Sequence, residues 1–377
     1  MRDYFFGALI ALGLPVILFR PFFGLLMWCW VAYMLPHKLG WGLIAHYPIA
    51  AAVGGLALLA WVFSKEPKKI PMNAIMWLYF VMLIWWTISY FVNERTSYAI
   101  QQFDKVMKIQ LFTVLTVILV NTHLRLNALV AVISLSIAYF GVKGGFFTLI
   151  TGGGERVWGP PSGFFEGNNE LGLALLTILP LLRYLQTQCA KVWQKHALTA
   201  SMILCFIAAI GTQSRGALLA AIAMSIFFWL RSDKKVPIAV IGLIFIPFIY
   251  MFMPAEWHDR MSTIKVETTD PAALRPINTS TWCGRLTAQI QAHDASAGGR
   301  VNAWCYAANR AQNEWFGGGF DAFNPEDFFI YAPDPYDFHD AHSIYFKILG
   351  EHGLIGFGLF FGLLLMSFFK ASSLRKK

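Results

Sequence analysis

Charge is scarce in this chain. Of its 377 residues only 14% are Asp, Glu, Lys or Arg, while 57% are hydrophobic, and the mean hydropathy is +0.53. A soluble globular domain of this length is excluded by that balance. Alternation is missing as well. The apolar residues come in continuous runs rather than at every second position, which excludes a membrane β-barrel and leaves helices as the spanning element. No P-loop and no dinucleotide-binding turn is present. The second half of the chain does not repeat the first, which argues against a flippase or other transporter built from inverted repeats. The net charge of +9 lies in short Lys and Arg clusters between apolar runs, the pattern of topology signals and not of a nucleic-acid surface. An all-α polytopic membrane protein of about 10–11 transmembrane helices with one large extracytoplasmic loop is expected.

The expected spans are residues 4–19, 22–35, 48–63, 72–92, 106–120, 126–150, 171–185, 198–210, 216–230, 236–253 and 343–369. Arg20-Pro21 splits the first two, which form either two helices or one broken one. No small-residue cleavage site closes the first run, so it is read as an anchor. Basic clusters at Lys65/Lys68/Lys69, Arg183/Lys191/Lys195, Arg231/Lys234/Lys235 and Lys370/Arg375 fall in every second connection. The positive-inside rule makes these cytoplasmic and sets residues 93–105, 152–170, 211–215 and 254–342 outside. Three domains follow: a helical membrane domain 1–253, an extracytoplasmic loop domain 254–341, and a last helix with a basic cytoplasmic tail 342–377.

The long polar segment is the working face. Val301, Trp304, Cys305, Ala308 and Trp315 recur at helical spacing before Gly317-Gly318-Gly319, predicting an amphipathic helix over 299–315 with Arg310 and Glu314 paired on its polar side. Residues 266–297 show no periodicity and read as a flexible insertion. The mixture of aromatic and acidic residues over 320–338 suits sugars. Cys283 and Cys305 both fall outside, where an oxidising compartment would permit a disulfide; spacing alone leaves that pairing open.

Four cationic or titratable residues stand at the expected outer boundary, where charge is costly without a partner or a task. Lys108 is either a functional cation or, on the plainer reading, a snorkelling lysine or an ion pair with Asp104 four residues earlier. Arg215 closes a Gln213-Ser214-Arg215-Gly216 turn. Arg300 opens the loop helix, where the dipole disfavours a cation and so suggests an anionic partner. His342 heads the last span, with Asp340 as the expected N-cap and the imidazole left free. Glu351 is expected to face away from His342 and to be structural. His339 and His342 with Asp334, Asp337 and Asp340 lack a second cluster at metal-site spacing, so no metal is expected.

The motifs Met253-Pro254…Trp257…Arg260-Met261-Ser262-Thr263-Ile264, Asp294-Ala295-Ser296-Ala297-Gly298-Gly299-Arg300, Phe316-Gly317-Gly318-Gly319-Phe320 and Ala341-His342-Ser343-Ile344-Tyr345…Gly350-Glu351-His352-Gly353 resemble the O-antigen ligase superfamily. Within it they are most similar to the exosortase A-associated O-glycosylation ligases. Arg20-Pro21-Phe22-Phe23-Gly24 and Gly211-Thr212-Gln213-Ser214-Arg215-Gly216 fit the same pattern. The resemblance implies a C-type glycosyltransferase-like fold in a bacterial inner membrane. It implies transfer of a glycan from undecaprenyl diphosphate to a protein or glycan hydroxyl outside that membrane, with no nucleotide or metal. Arg215, Arg300 and His342 match the family's functional positions, and Lys108 and Tyr345 join them as substrate-binding candidates. A polymerase using the same donor is the nearest alternative. Two departures stand out: residues 266–291 are longer than the pattern, and the chain stops at Lys377 where relatives continue through another helix or two. The expectation is that the turn arginine, the loop arginine and the helix-head histidine act in one extracytoplasmic pocket.

Overall fold

The computed structural model describes residues 2–40, 43–253, 255, 257–258, 277–292 and 294–374. Its helices are α1 (Arg2–Phe19), α2 (Pro21–Met34), α3 (Ile49–Phe63), α4 (Ala74–Val92), α5 (Ser97–Leu119), α6 (His123–Ile150) and α7 (Asn168–Gln188). They continue as α8 (Val192–Gly211), α9 (Arg215–Arg231), α10 (Lys235–Phe252), α11 (Trp282–Gln291), α12 (Ala295–Asn313), α13 (Pro325–Tyr331) and α14 (Ile344–Leu374). No strand occurs among the described residues, and α4, α6, α8 and α14 are each long and apolar enough to cross a membrane. The protein is an all-α polytopic membrane protein.

Contacts divide the chain into two compact units, Met1–Lys68 with Leu115–Ser262, and Lys69–Val114 with Thr263–Lys377. In the first, α6, α7 and α8 share a core of Leu171, Leu175, Leu182, Cys205 and Ala208. Gly141 and Gly145 make this possible. A Cβ at Gly145 would strike the Leu204 carbonyl, so only glycine lets α6 and α8 approach so closely, as small residues do in membrane bundles. The first two apolar runs are separate helices, with Gly24 of α2 against Ile17 of α1. Arg125 at the head of α6 pairs with both carboxylate oxygens of Glu66, at 2.7 and 2.8 Å, and its guanidinium lies 4.9 Å from the Phe22 ring centroid. The start of α2, the segment after α3 and the start of α6 therefore share one end of this unit.

In the second unit, α12 and α13 close a small core of Ala303, Tyr306, Ala307, Ala322, Phe323, Phe328 and Ala341. The disulfide Cys283–Cys305, with Cα atoms 5.7 Å apart, ties α11 to α12. The supposed insertion is thus partly helical: residues 282–291 form α11, N-capped by Thr281, whose side chain accepts from Gly284 N–H. The part at 259–276, including Arg260 to Ile264 of the first motif quoted above, lies outside the described residues.

The last span is not one regular helix. Gly353 breaks α14 with φ 69° and ψ −173°. The carbonyls stranded by the break take outside donors: Gly318 N–H to Gly350 O at 2.9 Å, the Ser89 hydroxyl to Glu351 O at 3.0 Å, and the Trp85 indole to His352 O at 2.9 Å. Buried carbonyls need such partners, and here α4 and the glycine loop supply them. From 354 to Lys370 the helix covers about 24 Å, so Gly353 lies close to one edge of a hydrocarbon layer roughly 30 Å thick.

Candidate functional site

Arg300, His342, Lys108 and Tyr345 belong to the second unit. The helix carrying Arg300 starts at Ala295, earlier than the spacing predicts, because the Asp294 carboxylate caps it by accepting the Ala297 N–H at 3.1 Å. Arg300 is consequently past the first turn, and the dipole argument for it lapses. The helix is fixed against the segment that bears His342. Asn302 donates to the carbonyls of Asp334 (2.8 Å) and Asp337 (3.0 Å) and accepts from Asp334 N–H (2.9 Å). Trp304 donates to Ala341 O at 2.8 Å and stacks on Phe346 at 4.9 Å. Arg300 is one turn before Trp304 on the same helix face. So the arginine and the histidine stand on two segments clamped together by that tryptophan.

His342 itself adopts φ 46°, a left-handed backbone unusual for a residue with a side chain. Such a conformation costs about 1–3 kcal/mol and persists where neighbours enforce it, often at functional sites. Ala341 beside it is fully buried, while His342 is exposed, and its imidazole has no hydrogen-bond partner among the described residues. Asp340 is not the cap, since α14 begins four residues later; its carboxylate instead takes the Lys347 ammonium at 2.7 Å. Lys347 also lies 3.7 Å from Glu351, which is buried. His339 Nε2 lies 2.9 Å from Asp337, and its ring packs where a Cβ on Gly299 would be. Tyr345 is exposed. Lys108 is bound to Asp104, with both side chains more than half exposed, which is the ion-pair alternative raised by the sequence.

Arg215 belongs to the first unit, where the turn expected from sequence is a built structure. Thr212, Gln213 and Ser214 are all buried. Gln213, with φ 51°, donates to Gly153 O at 3.0 Å and accepts from Arg156 Nε at 3.3 Å. Ser214 caps α9 by accepting Ala217 N–H at 3.0 Å and donates to Asn169; Asn168 donates to Thr212 O at 3.0 Å. Arg215 is the first residue of α9 and half-buried. Arg215, and not Arg300, is therefore the arginine that stands in the first turn of its helix, where the dipole disfavours a cation by about 0.3–1 kcal/mol.

Arg156, Asn168 and Asn169 were not singled out from sequence, whereas Gln213 was named there only as part of the turn. A polar Asn-Asn pair at the head of an apolar run and an arginine following a glycine run were the available signals.

Residues 1–190 match the model of a family of unknown function, DUF5935, and residues 200–361 match the O-antigen ligase model. No curated protein and no solved structure matched the chain. Because the first match takes in 190 of the 377 residues, the chain belongs to the DUF5935 family, and it carries over residues 200–361 an O-antigen ligase domain that supports a membrane glycan-transfer function.

Proposed function

We propose that the protein transfers a glycan from undecaprenyl diphosphate to a hydroxyl of a protein or glycan acceptor, at the periplasmic side of a bacterial inner membrane, as an exosortase-associated O-glycan ligase. The observation that carries this reading is that the O-antigen ligase match spans Arg215, Arg300 and His342 alike. The Cys283–Cys305 disulfide supports an oxidising compartment for the domain at 254–341.

The donor already contains a good leaving group. The acceptor oxygen attacks the anomeric carbon while the bond from that carbon to the diphosphate oxygen breaks, and the electron pair leaves with the diphosphate. His342, exposed and without a partner among the described residues, accepts the hydroxyl proton; a positioned base of this kind contributes typically 10²–10⁴-fold. Arg215 and Arg300 hold the diphosphate and neutralise its growing charge, for which the planar guanidinium fork is suited. Arg156, held to Gln213 two residues before Arg215, is placed to reinforce the first arginine. Tyr345 would contact the substrate beside His342, and Lys108 would do so only by exchanging its Asp104 partner for the donor.

The test is reconstitution of the purified protein in liposomes with a glycan on undecaprenyl diphosphate and a hydroxyl acceptor. Release of undecaprenyl diphosphate together with glycosylated acceptor is expected, falling at least about a hundredfold in Arg215→Ala and in Arg300→Ala. Release at the wild-type rate from either variant would refute the assignment.

A further inference from the structure

Lys143 is a lysine inside a membrane helix. α6 presents Gly141, Gly144, Gly145 and Thr148 to α7, α8 and Val157, and these positions are buried. At 100° per residue Lys143 points to the opposite side. That side carries Tyr139 (41% exposed), Phe146 (54%), Phe147 (42%) and Ile150 (84%), and Lys143 is exposed among them. Among the described residues it has neither a carboxylate nor a hydrogen-bond partner. Arg125 on the same helix is by contrast fully paired with Glu66.

Its depth sharpens the point. Lys143 is seven residues before the end of α6 that leads into the Gly152–Gly154 turn, about 10 Å along the axis. The Cα–Cβ bond leaves a helix tilted toward its amino end, so the side chain starts out away from the near surface and reaches it only by doubling back. A charge in such a place is costly and generally serves a ligand. What can reach it must be anionic and must travel within the bilayer, because the flanking stripe is aromatic and aliphatic and carries no charge.

We propose that Lys143 receives the phosphate headgroup of the lipid-linked donor from the bilayer, with the aromatic stripe of α6 taking the start of its prenyl chain. This deepens the function given above and rests on it. Thr148, on the buried face of the same helix, packs against Gly211 at the turn that carries Arg215. One helix thus carries a lipid-facing cation on one side and supports the Arg215 turn on the other. Lysine suits a docking role, since its ammonium binds phosphate as a mobile point charge and not as a fixed fork.

The experiment uses the full chain in phosphatidylcholine nanodiscs, with undecaprenyl diphosphate as the binding probe and the glycan-loaded lipid as substrate. Lys143→Gln should weaken probe binding and raise KM roughly tenfold, the loss of one charged hydrogen bond, while kcat stays within about twofold; Lys143→Arg should restore most of the binding. Unchanged KM and probe binding in Lys143→Gln would overturn the inference. So would a variant that has lost only stabilisation by added phosphatidylglycerol, because the lysine would then serve bulk anionic lipid. A wild type that neither binds the probe nor turns over would overturn the function itself and this inference with it, whereas wild-type turnover beside an unaffected Lys143→Gln would overturn the inference alone.

Discussion

Arg310 shows how a residue pairing read from spacing changes meaning once packing is known. The i, i+4 pair with Glu314 exists, at 3.0 Å, but the arginine is 5% exposed and not on a solvated face. It also contacts Asp327 and donates from Nη1 to the Tyr306 hydroxyl oxygen at 2.8 Å. Burial works against its charge, yet Tyr306 and Asp327 outweigh that and raise its pKa above the ordinary arginine range. Removing the guanidinium leaves Glu314 with Tyr331 and Asp327 with Asn324 as their remaining partners, so Arg310→Leu should destabilise the second unit by about 1–3 kcal/mol, measured as loss of thermal stability in detergent. Glu66 gives a pH test. The hydrogen bond from Arg125 holds its carboxyl below the usual range. A depressed folded-state pKa contributes stability above the unfolded value and loses it as pH falls through the folded one. The wild type should therefore lose its stability advantage over Glu66→Gln from roughly pH 5 downward, with no convergence above that.

At the scale of elements, the apolar helices were legible because bilayer thickness dictates their length, and most observed ends fall within a few residues of the runs. α5 is an exception, starting at Ser97 and not near 106, since its first two turns are polar. The break in α14 was not legible at all. Residues 343–369 read as one span, and the donors that stabilise the break come from Ser89, Trp85 and Gly318, remote in sequence. α11 was hidden because its ten residues are flanked by aperiodic chain. The start of α12 was misread because the cap at Asp294 precedes the first apolar residue of the pattern. Gly353 offers the sharpest element-scale test. Any Cβ there would meet the Trp315 carbonyl, and the φ of 69° is itself strained for other residues. Gly353→Ala should cost at least about 1–3 kcal/mol and unseat the Trp315–Gly317 loop, read by thermal melting and by increased proteolysis near residue 316.

For the whole molecule, the candidate site residues were chosen from sequence by charge at apolar boundaries together with the motif resemblance, and the folded chain adds local features that neither criterion contained. His342 has its strained backbone and Arg215 its buried turn. Arg156 and Lys143, which are proposals from the folded chain, drew no notice in the sequence because one follows a glycine run in a loop and the other interrupts an otherwise apolar helix, where a lone basic residue looks incidental. The ion pair of Arg125 and Glu66 brings the segment after α3 and the head of α6 together at one end of the first unit. The account turns on transfer from a lipid-linked donor at the face opposite the basic clusters. The most direct measurement follows lipid-linked glycan in cells carrying correctly inserted His342→Ala in place of the wild type. Unconsumed glycan should build up on its lipid at the outer leaflet while the acceptor stays bare; acceptor glycosylated at the normal rate, or glycan held at the cytoplasmic leaflet, would contradict the account.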